Sequence, residues 1–224
     1  MPSPRFRNLD AARQAAILDA ASEEFATNEF EDASYNRVIE RAGISKGAMY
    51  YYFDNKEDLY QTVLQRMFER LAQYVTVDVE VDSAEAYWRR GELVYARMLR
   101  FFQMDDSAAG LARGLIRARE RGQGDDATER RERGREVTAT QLALGQSVGA
   151  VRLDLPQNLL VALAMATSQG VYGWMAEHLG ALPESELEPV ARALVRVYRR
   201  LLEPLPAGEE DASVLLKAER HPTS

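Results

Sequence analysis

An all-α protein is predicted, with a small three-helix N-terminal domain ahead of a larger helical one, and three observations carry that expectation. Apolar residues recur at spacings of three and four through most of the 224 residues. Ser, Asn, Gly and Pro stand where helices should start and stop. The one alternating stretch, Val75 to Asp82, is solitary and acidic, so it reads as an interhelical connection rather than a strand.

In chain order, Arg5 and Arg7 form a short basic arm, which either follows a neighbouring phosphate or the minor groove or is an unstructured terminus. Asp10 to Thr27 reads as one amphipathic helix, with Ala11, Ala15, Leu18, Ala21 and Phe25 on a shared face. Ser34 then caps a short helix through Val38 to Arg41 or Ala42, and Gly43 supplies the left-handed backbone that ends it. Ser45 caps the next helix almost at once, so Ser34 to Phe53 forms two short helices around a tight turn. The long first helix closes a three-helix domain on Val38, Ile44, Met49 and Phe53.

The second short helix opens with Ser45, Lys46, Gly47 and Ala48, which have almost no side-chain bulk. Glycine there costs about 1 kcal/mol against alanine. A helix whose first turn presses its backbone on a partner offsets that cost, because bare N–H groups and the positive dipole end then face an anion. Tyr50, Tyr51 and Tyr52 follow at about 100° per residue, so at least one is exposed. Lys46 and Tyr50 share a face, a pairing suited to phosphate and to the thymine methyl. An ordinary helical hairpin with half-buried tyrosines has the same spacing.

The stretch AGISKGAMYYYFDNKEDL, Ala42 to Leu59, resembles the DNA-binding signature of the TetR family of transcriptional regulators, with Gly43, Ser45, Lys46, Gly47, Tyr50, Phe53, Lys56 and Leu59 on its pattern. Arg13, Ile17, Ala20, Ala21, Phe25, Phe30 and Ser34 also fit, so the likeness runs over about 50 residues, far more specific than a lone short motif. Asn28 stands where the family usually has glycine, Ile39 where it usually has alanine, and Ala48 where threonine is frequent. Ala48 leaves fewer hydrogen bonds for reading bases. The resemblance implies a repressor of a double-stranded DNA operator, released by a small-molecule effector and working as a homodimer. Ser34, Tyr35, Ser45, Lys46, Gly47, Ala48, Tyr50, Tyr51, Tyr52 and Lys56 are the expected DNA-binding residues, with Lys46, Gly47, Ala48, Tyr50 and Tyr51 in the groove and Ser34, Ser45, Tyr52 and Lys56 on phosphates.

Charge argues the other way. Net charge is −7, and residues 1–58 carry seven bases against eleven acids. Distribution answers this: Glu23, Glu24, Glu29, Glu31 and Asp32 cluster at the end of the first long helix, whereas the bases lie in the arm and around the short helices. Separated charges are screened over a Debye length of about 8 Å. With no cysteine, disulfides, thiolate metal sites and thiol catalysis are excluded, and a reducing cytoplasm is expected. No signal peptide, membrane-spanning run, cofactor or metal is expected.

Asp54 to Glu57 starts a helix in the manner of a capping box, and it runs to about Tyr74 with Leu59, Val63, Leu64, Met67, Phe68 and Leu71 as its stripe. Residues 83 to 121 give two helices broken near Asp105 and Asp106. Trp88, Tyr95, Met98 and Phe102 recur at helical spacing; with Met165 and Tyr172 they are candidates for a ligand cavity, although a packed core accounts for them as well. Glu129 to Glu136, ERRERGRE, is a solvated face by its mixed signs. A helix from Pro156 to about Leu179 and a last one through Leu187, Val190, Leu194, Val197, Tyr198 and Leu201 carry apolar stripes. The resemblance implies that Leu163, Gly170, Val171, Trp174, Leu194, Tyr198 and Leu201 form a four-helix dimer interface.

Gly145 to Gly149 spells G-x-S-x-G, with Asp154 and His178 in hydrolase order, but the nucleophile elbow needs a parallel sheet and this chain supplies no βα units. No enzyme is expected. The rivals are a hydrolase using Ser147 and a helical interaction module without DNA binding. The domains expected are 1–55 for DNA, 56–206 for effector and dimer, and a polar tail over 207–224.

Overall fold

The computed structural model describes residues 2–121, 127–178 and 182–206, and within them the regular structure is helical, without strands. The helices are α1 (Pro4–Arg7), α2 (Ala11–Thr27), α3 (Tyr35–Arg41), α4 (Lys46–Tyr52), α5 (Lys56–Val75), α6 (Ala84–Met104), α7 (Asp106–Glu120), α8 (Ala127–Ser147), α9 (Gln157–His178) and α10 (Leu187–Leu202). Residues 76–83 connect α5 to α6 without helix or strand, in keeping with the sequence reading. The tail over 207–224 lies outside the described residues.

The chain divides into two compact units, and one of the dividing points falls inside α6. The first comprises residues 1–74 and 101–122, the second 75–100 and 123–224. Helices α5 and α7 both pack with the N-terminal helices. The core of the first unit joins Ile17, Ala21 and Phe25 of α2 to Met49, Phe53, Leu59, Val63, Phe101 and Leu111. Close approach of α7 to α2 is permitted by Gly110, where a Cβ would lie 2.6 Å from the Ala26 carbonyl oxygen and 2.9 Å from its Cα.

Two start signals are also resolved differently. The basic arm is not an unstructured terminus: Ser3 caps α1, Pro4 occupies its first turn, and Phe6 is buried on Phe53 with ring centroids 4.7 Å apart. At α5 the cap is Asn55, whose side chain accepts from the Asp58 N–H at 2.9 Å, while Asp58 accepts in return from the Asp54 N–H at 3.3 Å. The reciprocal acid is thus Asp58, not Glu57.

In the second unit, Trp88, Leu142, Val151, Leu160, Val161, Val195 and Leu202 form the core. Helix α10 buries Leu187, Ala191, Val195, Tyr198 and Leu202, which leaves Val190, Leu194, Val197 and Leu201 as a second apolar stripe about a quarter turn round the helix, all but Val197 partly covered. Tyr198 is thereby removed from the expected dimer surface, and Val197, 50% exposed, lies on the outer stripe. On α9, Leu163 and Val171 are half-buried, Gly170 is exposed and Trp174 is 40% exposed. By length and composition alone α9 is apolar enough to cross a bilayer, which the sequence reading had not expected; Leu160, Val161, Ala164 and Met175 on it are buried in this unit.

Candidate nucleic-acid interface

The two short helices are fixed by their own caps and by one buried acid. The Ser34 side chain accepts from the Arg37 N–H at 3.3 Å, and the Ser45 side chain from the Ala48 N–H at 3.1 Å. Gly43 ends α3 at φ 63°, and the Ile44 N–H returns to the Ile39 carbonyl at 3.3 Å. Beneath them Glu24, 1% exposed, accepts from the Ser34 N–H at 2.7 Å, from Arg37 Nε at 2.9 Å and from Arg37 Nη2 at 2.6 Å. Those hydrogen bonds from Arg37 outweigh burial and hold the Glu24 carboxyl below its ordinary range. Sequence reasoning counted Glu24 among the acids clustered at the end of the first long helix, yet its position in the apolar stripe with Ala20, Ala21 and Phe25 was a readable signal.

Helix α4 buries Met49 and, just past its end, Phe53, and the face opposite Met49 is turned outward. Tyr50 is 52% and Tyr51 51% exposed, and Lys46 and Gly47 are exposed beside them. At Gly47 an added Cβ would meet nothing nearer than Ser45 Oγ at 4.0 Å. Nothing within the subunit requires glycine there.

Three expected DNA residues are placed in a supporting role. Lys56 donates to the carbonyls of Glu31 at 3.0 Å and Ala33 at 3.1 Å and lies 4.7 Å over the Phe30 ring, so it locks the loop before α3. Tyr35 presents a ring edge to Tyr50 at 5.3 Å; its hydroxyl is buried with no hydrogen-bond partner among the described residues, and burial raises its pKa. Tyr52 is half-buried against Phe6 at 6.2 Å. Ser34, Ser45, Lys46, Gly47, Ala48, Tyr50 and Tyr51 are brought together at the surface, with Ser34 and Ala48 partly covered.

The six ligand candidates do not form one group. Phe102 packs in the first unit, edge-on to Phe101 at 5.3 Å. Trp88, Tyr95 and Met165 belong to the core of the second, where the Tyr95 hydroxyl donates to Tyr198 at 2.7 Å and Tyr198 donates to Ser168 at 2.8 Å. Met98 is buried, and Tyr172 reaches Tyr95. Cavities of about 300 and 440 Å³ in the first unit are lined by none of the six.

The hydrolase-like motif has a packing explanation. A Cβ at Gly145 would lie 2.4 Å from Val151, and Gly149 turns the chain at φ 72°. The Ser147 hydroxyl donates to the Leu144 carbonyl at 2.7 Å, Asp154 accepts from Arg152 Nε at 2.7 Å, and His178 stacks on Trp174. Ser147, Asp154 and His178 form no triad.

A capped pair of short helices on a third, with the bare face of the last one turned outward, defines a helix-turn-helix protein. Residues 17–63 match the sequence profile of the bacterial regulatory proteins of the tetR family, so this segment is a DNA-binding domain of that type. Over 63 residues, 28% of this chain and 29% of its counterpart, it is 38% identical to the HTH-type transcriptional activator FasR of Mycolicibacterium smegmatis. The match thus spans under a third of that relative's length. The fold is similar to a TetR family transcriptional regulator from Chloroflexus aurantiacus, with TM-score 0.61 and 22% identity over 90% of this chain and 96% of the other. It is also similar to the transcriptional regulator FadR from Bacillus subtilis in complex with stearoyl-CoA, with TM-score 0.62 and 18% identity over 81% of this chain and 95% of the other. At these identities the likeness is one of fold.

Proposed function

We propose that the chain is a sequence-specific, DNA-binding transcriptional regulator that works as a cytoplasmic homodimer and represses until a small molecule releases it. The observation that carries this reading is Gly47, an exposed glycine with open space around it in the first turn of α4. Its cost of about 1 kcal/mol is recovered outside the subunit, where the first turn of α4 meets the major groove and its N–H groups meet phosphate. Lys46 and Tyr50 flank that contact, and Tyr35 and Lys56 hold Tyr50 and the preceding loop in register.

One short helix reads too few bases for operator affinity, so two copies are needed, about 34 Å apart along one groove. The outer stripe of α10, Leu194, Val197 and Leu201, with Leu163, Gly170, Val171 and Trp174 of α9, supports a four-helix interface between them. The second unit is the effector domain in this reading. Trp88, Tyr95, Met98, Met165 and Tyr172 suit an uncharged, largely apolar ligand group, with the Tyr95 and Tyr198 hydroxyls as its polar anchor. Because FadR of similar fold holds stearoyl-CoA, a long-chain acyl-CoA is the first effector to test.

Selection of duplexes from a random library by the purified protein, followed by polarisation titrations on the selected sequence, tests the reading. A palindromic consensus with half-sites one helical turn apart is expected, and so is release by the effector. A protein that selects no duplex is instead a helical interaction module.

A further inference from the structure

The cations of the DNA-binding head divide into two groups. Among the described residues 2–75, Arg37 and Arg41 pair with Glu24, Arg66 with Asp19 and Arg70 with Asp105, while Lys56 is held by two carbonyls. Arg5, Arg7, Arg13 and Lys46 have no carboxylate partner among the described residues. In a head of net negative charge, these are the cations available to an external anion.

One of them is built into the recognition helix. The Arg5 guanidinium carbon lies 3.7 Å from the centroid of the Tyr51 ring. Helix α1 is held in place for this contact: the Ser3 N–H donates to the Tyr52 carbonyl at 3.0 Å and the Ser3 hydroxyl to the Tyr51 carbonyl at 3.1 Å. These two bonds satisfy carbonyls that the end of α4 leaves without helical partners. Phe6 anchors the other side of α1 in the core. At about 100° per residue, Gly47 and Tyr51 lie nearly opposite the buried Met49, so the stacked pair stands on the outermost face of α4, beside the bare backbone at Gly47.

We propose that Arg5 is a DNA-binding residue: stacked on Tyr51, it presents its guanidinium fork to a backbone phosphate flanking the groove that α4 enters. The inference rests on the DNA-binding reading and extends its interface to α1. Arginine suits the position because it stacks flat on an aromatic ring and still offers N–H pairs to phosphate oxygens, whereas lysine offers a point charge without the plane. The stack with Tyr51 orders the side chain before binding, and so less entropy is lost on the phosphate.

The test uses the full-length protein and a duplex that the wild type has selected from a random library. Arg5→Ala is expected to weaken binding roughly tenfold and evenly across sequence variants, to lower the slope of log affinity against log salt by about 0.9, and to leave thermal melting unchanged. Arg5→Lys should restore part of the salt slope, and in a Tyr51→Leu background Arg5→Ala should cost less affinity than in the wild type. Lys46→Ala is the reference. If it lowers affinity and slope while Arg5→Ala changes neither, Arg5 is not in the interface and the proposal fails alone; if the wild type selects no duplex, the DNA-binding reading and the proposal fail together.

Discussion

Glu24 and Arg37 are joined by hydrogen bonds of 2.9 and 2.6 Å, and the carboxylate that receives them is buried while the guanidinium is half in water. The pair ties the end of α2 to the start of α3, and the Ser34 N–H on the same oxygen extends the tie to the cap. One carboxylate thus sets the angle at which the reading head begins.

Removing Arg37 should cost more than neutralising Glu24. Arg37→Met takes the closest charge from a buried carboxylate that keeps the Ser34 N–H, the Asn28 side chain and the more distant Arg41, at about 2–4 kcal/mol, whereas Glu24→Gln keeps a polar partner and lets the arginine swing into water, at about 1–2 kcal/mol. Urea denaturation followed by circular dichroism measures both, and the reverse order would mean that Glu24 is hydrated.

The same pair predicts a pH dependence. Because the folded state lowers the Glu24 pKa, its stabilisation is complete above the unfolded value near 4.5 and is lost as pH falls below it toward the lowered value. The gap between wild type and Glu24→Gln in urea midpoint should be constant from neutrality to about pH 5 and close on further acidification.

Gly110 and Gly114 sit four residues apart on α7 in opposite surroundings. Gly110→Ala forces a Cβ against the Ala26 backbone and should destabilise by about 1–3 kcal/mol, while Gly114→Ala, with nothing within 4 Å, should be neutral or stabilise by up to about 1 kcal/mol. Equal melting temperatures for the two variants would contradict the close packing of α7 on α2.

Lys56 and Lys46 should separate under substitution. Lys56→Met removes the clasp on the Glu31 and Ala33 carbonyls, lowering stability by about 1–2 kcal/mol with the salt slope of DNA binding unchanged. Lys46→Ala should lower the salt slope by about 0.9 and leave melting unchanged. Paired melting curves and salt titrations distinguish the two roles.

Ser147→Ala should melt within experimental error of the wild type, and neither protein should hydrolyse a generic ester. Ester turnover lost in the variant would restore the hydrolase reading against the Ser147 contact with Leu144.

By itself the sequence determined the elements of the head. Ser34, Gly43 and Ser45 act through backbone groups within four residues of themselves, so their caps and turn are written locally, and helical periodicity likewise marked α5, α6, α7, α9 and α10. Tertiary structure decided what depends on distant approach. Gly110 brings α7 against α2 across more than 80 residues, Glu24 becomes a buried anchor only once Arg37 covers it, and Tyr198 turns inward because the bulk of Leu187, Val195 and Leu202 selects one of two apolar stripes on α10. Arg5 shows the same division: its charge is plain in the sequence, but only the folded head brings α1 to the last carbonyls of α4 and places a guanidinium on Tyr51. Capping energies are local and so legible, whereas packing and charge pairing follow from which surfaces meet.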